Sequence, residues 1–417
     1  MKAVQPIYIV IICVVIILGN APKLHAENYS SFYAQLVDMF DRFEDENTGL
    51  TTLVTLKIPI GGEFEGMGTA YTAVSQDISF LESNPSGSAT LEETELALFH
   101  NNLIDDVSMD SIAFTRRWDR LGLGFATKIV HVPFEGIDFQ GYEVGGGRYI
   151  EAVGGINASY NILSSFYFYG ISIGGNLKYA ARIVPETIAP EQSAITGLAD
   201  IGVLTRFNFL KWYSSRERNF SIGAVLRNFG PEVMGEPVPT AAHAGIAYSP
   251  VRPLLLAGDL IVPWNPFSDT PQENIGFAVG VRTTITSFLR LSAGFSVQGG
   301  APRFVIGNQV DVGDVRLSAN YTVDYTTRFT KPDRFSLQAS LRFGDHGRSE
   351  LQSRVEELYL DGLLYFAEGE LELSAMLAEQ ALALNPRFDP ARELKQLSEE
   401  SLELQQEMES LETLGDE

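Results

Sequence analysis

Arg334-Phe335-Ser336-Leu337-Gln338-Ala339-Ser340-Leu341-Arg342-Phe343 alternates apolar and polar side chains without a break. In an extended strand Phe335, Leu337, Ala339, Leu341 and Phe343 fall on one face, and Ser336, Gln338, Ser340 and Arg342 on the other. A soluble sheet would solvate the second face. A membrane barrel would turn it to the lumen and give the first face to lipid.

The same period of two runs back to Glu95. Strands are expected at Glu95–Asn101, Asp110–Trp118, Leu121–Val130, Tyr149–Ile162, Phe166–Ala181, Ala199–Leu210 and Asn219–Phe229. They continue at Ala241–Tyr248, Leu254–Val262, Ile275–Thr286, Leu289–Val297, Pro302–Val310, Val315–Tyr325 and Arg334–Phe343. That makes about 14 antiparallel strands, an even number, as a barrel with both ends on one side requires. They run to about 9–14 residues, where soluble strands average about 5–6. Val132–Gly147, Ile183–Gly197, Pro231–Thr240 and Pro263–Glu273 read as long outer loops, alternating with short turns on the other side. Phe166-Tyr167-Phe168-Tyr169 and Trp212-Tyr213 read as aromatic girdles. The expected fold is therefore an all-β transmembrane barrel, and a soluble β-sandwich is the competing class.

Upstream, Lys2 followed by the apolar run Ile7–Leu18 reads as a secretory signal over residues 1–26, cleaved after Ala26 or after Ala21. The sole cysteine, Cys13, lies inside that run, so the mature chain would hold together without disulfides. No later apolar run reaches the length of a spanning helix. The formal net charge of −23 excludes a nucleic-acid partner, because phosphates need a basic groove. Tyr29–Glu44 reads as a short helix with Phe32, Leu36, Phe40 and Phe43 on one face, and Leu53–Ile60 as a short strand or extended segment.

Between these and the barrel lies Gly66-Met67-Gly68-Thr69-Ala70-Tyr71-Thr72-Ala73-Val74, then Asp77 and Asn84-Pro85-Ser86-Gly87. Small residues allow close backbone packing, and Asn-Pro-x-Gly starts a turn. This stretch resembles the N-terminal segment of the FadL-like outer-membrane long-chain fatty acid transporters, in a spirochaete-type branch, with Ser86 where that family usually has Ala. The resemblance implies a hatch within residues 27–93, folded into the lumen of a barrel spanning 94–344. It further implies an outer-membrane location and passage of hydrophobic molecules such as long-chain fatty acids. Gly66, Met67, Gly68, Asn84, Pro85 and Gly87 would then set the conformation of a ligand gate. The last strand, ending in Phe343, also resembles the closing strand that barrel-assembly machinery reads.

From about Glu350 the period becomes helical. Leu358, Gly362, Tyr365, Gly369, Ser374, Ala378, Ala381 and Pro386 fall at the spacings of one tetratricopeptide-like repeat, with Ser374 and Ala378 departing from the usual residues. A further acidic helix is expected over Ala391–Leu411. This unit, 350–417, is expected in the periplasm, with Leu358, Gly362 and Tyr365 as candidate partner-binding residues. From Asp345 to Glu417 there are 19 acidic and 5 basic residues, the pattern of a solvated face.

Of enzymatic chemistry there is little sign. His100, His131, His243 and His346 lack metal-ligand spacing, and no nucleophile elbow, P-loop or dinucleotide fingerprint occurs. No enzyme, cofactor or metal is expected. Two functions remain open: a hatch-gated transporter, or a scaffold or assembly barrel whose helical repeat docks a periplasmic partner.

Overall fold

The computed structural model describes residues 43–415 except 104–105, 138–139, 187–190, 216 and 325–332. The signal segment and nearly all of the helix expected over Tyr29–Glu44 lie outside these residues.

Fourteen antiparallel strands close into one barrel. They are β1 Glu95–Asn102, β2 Ser108–Trp118, β3 Leu121–Ile137, β4 Glu143–Ile162, β5 Ile171–Ile183, β6 Ala194–Phe207 and β7 Phe220–Phe229. Then follow β8 Ala241–Tyr248, β9 Leu254–Pro263, β10 Gly276–Thr286, β11 Leu289–Gln298, β12 Ala301–Val312, β13 Val315–Asp324 and β14 Arg334–Arg342. β14 closes the wall against β1, from Glu95↔Arg342 to Asn102↔Phe335. Closure leaves no unpaired sheet edge, the condition for a sheet to sit in lipid.

The decisive strand behaves as its sequence predicts. On β14, Leu337 is 44% exposed and Leu341 48%, while Gln338 and Ser340 are buried at 3% and 1%. The apolar face is outside and the polar face inside. Leu98, Ile156, Leu177, Ile201, Ile246 and Ile306 repeat this outward apolar exposure around the wall. Such a belt is unfavourable against water and suited to a membrane.

Some boundaries differ. The expected loop Val132–Gly147 is mostly strand, because β3 and β4 pair on to Ile137↔Glu143 with a register shift near the tip. Gly145, Gly146 and Gly147 signal a loop by composition, yet they sit in a ladder that holds them. Residues 166–170 were expected in a strand, but β5 begins only at Ile171. Phe166–Tyr169 instead belong to a turn, where Ser165 N donates to Phe168 O at 2.8 Å. This turn and residues 208–219 are long, so the connections on that side of the barrel are not uniformly short. Leu53–Ile60 is not a strand either: Val54–Lys57 forms one turn of 3-10 helix.

The chain from Asp45 to Thr94 runs through the barrel. Thr48 Oγ1 donates to Gly299 O (2.6 Å), and Thr52 N to Pro237 O (3.0 Å), at the end carrying the 230–240 and 264–275 loops. The segment leaves at the opposite end, where Thr94 N donates to Gly344 O at 3.0 Å. In between it forms α1 Gly62–Gly66, α2 Phe80–Ser83 and a 3-10 turn, Pro85–Thr90. Its apolar side chains build small cores against the inner wall. Ile60, Ile78, Phe80 and Leu91 pack with Ala97, Phe99 and Ala113, and Phe64, Met67, Tyr71 and Val74 with Ala247 and Leu255.

Three helices follow the barrel: α3 Arg348–Glu368, α4 Leu371–Leu384 and α5 Asp389–Gly415. Gly369 ends α3 in the left-handed region (φ 85°), which lets the chain reverse into α4. Val355, Leu358, Ala381, Phe388 and Ala391 form their shared core.

Candidate functional site

The site is the lumenal segment and the wall that holds it. This irregular backbone inside the barrel must find partners for its peptide groups, because most of it is buried from solvent. Wall side chains supply these partners. Asp259 Oδ2 on β9 accepts from Tyr71 N (3.0 Å) and Thr72 N (2.9 Å). Asn101 on β1 donates to Pro59 O and Ile60 O, both at 3.1 Å. Asn320 on β13 donates to Gly62 O (3.0 Å), Ser221 on β7 to Ala73 O (2.7 Å), and Arg206 on β6 to Val74 O (2.7 Å).

Asn84 organises the turn. Its amide donates to Thr72 O (2.8 Å) and Val203 O (3.1 Å), while its Oδ1 accepts from Ser86 N (3.2 Å) and Ser86 Oγ (2.7 Å). One side chain thus ties two parts of the segment to β6. Pro85 stands at the first position of the 3-10 turn, where its missing N–H costs nothing, and its carbonyl accepts from Asn157 on β4 (2.9 Å). Ser88 Oγ reaches Asn157 Oδ1 (2.6 Å) and Ser159 Oγ (2.5 Å) on the same strand.

Gly66, Met67 and Gly68 sit on the opposite arc. Gly68 has φ +63°, and a Cβ there would lie 2.7 Å from Phe295 N. Met67 is fully buried, and Gly66 Cα lies against Gly307 on β12. Gly87 packs within the segment, where a Cβ would meet Phe80 Cβ at 2.7 Å. All six gate candidates therefore lie in the lumen. Leu358 packs in the helical core, and a Cβ on Gly362 would meet Leu394 at 3.0 Å. Tyr365 is half-buried.

Two features have no counterpart in the sequence reading. The first is a ring of wall glycines. A Cβ on Gly122, Gly174, Gly202, Gly223, Gly280 or Gly294 would lie 2.1–2.5 Å from an atom of the segment. These belong to β3, β5, β6, β7, β10 and β11, so the segment touches bare backbone around most of the circumference. Glycine weakens a strand interior unless another backbone must come close. Its recurrence mid-strand was the available signal.

The second feature is ionic. Glu63 on α1 pairs with Arg282 (2.5 Å) on β10 and Arg290 (3.5 Å) on β11. Glu65 meets Arg334 (3.4 Å) on β14 and Thr322 Oγ1 (2.9 Å) on β13. Opposite them, Lys128 on β3 pairs with Glu82 and donates to Ile58 O at 2.8 Å. Among the described residues no cluster of three His, Cys, Asp or Glu side chains converges as a metal site.

A model of the uncharacterised protein family UPF0164 matches residues 31–345, from ahead of the lumenal segment to just past β14. The chain belongs to UPF0164. The helices α3–α5 lie beyond the matched residues. Two UPF0164 proteins of Treponema pallidum (strain Nichols) are similar to it. One is 28% identical over 364 residues, covering 84% of this chain and 83% of the relative. The other is 24% identical over 389 residues, covering 85% and 76%. Among solved structures, the chain is similar to a deltaS2 mutant of the TodX monoaromatic hydrocarbon channel. That match has a TM-score of 0.47 and 12% identity, covering 68% of this chain and 97% of the channel. The KdgM porin is more distant, with a TM-score of 0.31 and 7% identity over 60% of this chain and 99% of the porin.

Proposed function

We propose that this UPF0164 protein is an outer-membrane transporter for hydrophobic compounds such as long-chain fatty acids, and that the Gly66–Gly87 stretch is its gate. One observation carries the gating. Two cavities beside the segment in the lumen hold about 40 and 20 Å³, whereas ligand pockets usually measure about 300–1,000 Å³. A ligand of that size fits neither cavity unless the segment moves. The wall suits such movement, because polar side chains rather than a continuous apolar core hold the segment's backbone. The ligand class rests on the resemblance of Gly66–Gly87 to the FadL-like family. In this reading α3–α5 lie in the periplasm.

The test is a reversible lock. Ser88 and Ser159 approach closely enough (Oγ–Oγ 2.5 Å) for a disulfide in the double variant S88C/S159C. Reconstituted in liposomes, the reduced protein should pass a labelled long-chain fatty acid, and the oxidised protein should not. Equal flux in both states would exclude movement of this turn as the gate. Failure of the purified protein to bind any fatty acid saturably would exclude the ligand class.

A second reading is a scaffold whose helical repeat docks a periplasmic protein. Exposed Leu360, Leu364 and Leu404 on the helices favour it. Deleting 350–417 leaves uptake intact under the first reading and abolishes function under the second.

A further inference from the structure

The helical unit does not simply trail from β14; it closes over one rim of the barrel. Arg387 donates to Asp119 Oδ1 (2.5 Å) in the β2–β3 turn and to Ser164 Oγ (3.2 Å) in the β4–β5 turn. Phe388 packs edge-on against Phe166 with ring centroids 5.0 Å apart. Asp389 Oδ2 accepts from Phe166 N at 3.2 Å. Between the two turns and the helices remains a cavity of about 430 Å³, far larger than those beside the segment. Ala89, at the exit of the lumenal segment, forms part of its lining.

The chemistry of this cavity is lopsided. Arg117, Arg120 and Arg387 line it, with Asp119 as the one acid in the lining. Asp119 already serves Arg387 and lies 3.7 Å from Arg120. Arg117 is on the inward face of β2, in line with the fully buried Ala113 and Thr115. The Nε atoms of Arg117 and Arg120 are buried without a hydrogen-bond partner. Three half-buried guanidinium groups around one cavity with a single carboxylate in its lining favour an anion, and their planar donor forks match a carboxylate or phosphate. Ser164 and Asn385 in the same lining add neutral donors.

We propose that this rim cavity is an anion-binding site in which Arg117, supported by Arg120 and Arg387, holds a carboxylate or phosphate group. The group belongs either to a free anion or to the head of an amphiphile. The site stands on the rim geometry and not on flux through the barrel, so its failure and that of the transport reading are separable.

Full-length protein in a non-ionic detergent is titrated calorimetrically with inorganic phosphate, octyl phosphate and octanoate in turn. Wild type should bind at least one probe saturably. R117Q should weaken that binding about tenfold or more, the scale of one lost charged hydrogen bond, and R117K by less. R387Q, changed on the helical side, should also weaken it, with heat-modifiable gel migration reporting an intact barrel in each variant. Equal affinity for phosphate and octyl phosphate would identify a free anion. Tighter binding of octyl phosphate or octanoate would identify an amphiphile head. No saturable heat with any probe up to about 10 mM, or equal binding by wild type and both glutamine variants, would overturn the assignment.

Discussion

Two regions close this barrel, and they are built in opposite ways. The lumenal segment has only short helical turns. Its order comes from the wall: Asp259, Asn101, Asn320 and Asn157 complete its backbone, and wall glycines admit it. The helical unit has its own core around Val355, Ala381 and Ala391, with a Ser374–Ser398 hydrogen bond of 2.9 Å inside it. It meets the rim through a few side chains at two turns and, through Arg348, the exit of the lumenal segment at Leu91 and Glu92. A segment stabilised by its container can leave its seat without a separate unfolding cost. A unit with its own core stays folded whether docked or not.

Breaking the container should therefore release the first region and spare the second. The largest effect is expected from G294V. The new side chain would meet Gly68 N at 2.1 Å, a backbone contact that cannot turn aside. The cost exceeds the about 1–3 kcal/mol of ordinary overpacking. Limited proteolysis should then cut within 62–91 and leave α3–α5 whole. Protection of 62–91 in this variant would refute the dependence of the segment on the wall.

E63A should act more mildly. It takes Glu63 from Arg282, while Arg290 keeps Asp311 at 2.9 Å, and removing one partner of a buried pair typically costs about 3–5 kcal/mol. Arg282 keeps a 2.8 Å bond to Gln76, which limits the loss. Single-channel recording should show more frequent opening than wild type; unchanged gating would remove the ionic arc from the seat.

The smallest effect belongs to the joint between the regions. The Ser349 hydroxyl, together with Ser349 N (2.6 Å) and Gly347 N (3.0 Å), which donate to Asp345, holds its carboxyl down at about 2. Because the folded value is depressed, this contribution is complete above the ordinary aspartate range near pH 4. It is lost as pH falls towards 2. The start of α3 should fray only in that window, as read by amide exchange at residues 347–351, and D345N should remove the pH dependence.

The wall was legible in the sequence because a strand's side chains alternate with a strict period of two. Along β14 each residue's face follows from its neighbour's. The aromatic run Phe166–Tyr169 misled for the same reason. The run opens in a turn whose Phe166 ring is held by Phe388, more than two hundred positions away. The helical unit was legible because Gly369 and Pro386 punctuate a local period. Which of its faces is covered was not, because the spacing that places Leu358 and Gly362 on one face does not say that α4 and α5 pack on it.

In Gly66–Gly87 the small residues and the Asn-Pro turn mark a special segment in the sequence by themselves. What the tertiary structure alone decided is what that segment rests on. Glu63 meets Arg282 across 219 positions, and Tyr71 meets Asp259 across 188. The mid-strand glycines become a ring only once the wall has closed. Composition and period are properties of neighbours along the chain. A lumen is a property of strands that meet only when the last one pairs with the first, and so the seat of the segment could be seen only there.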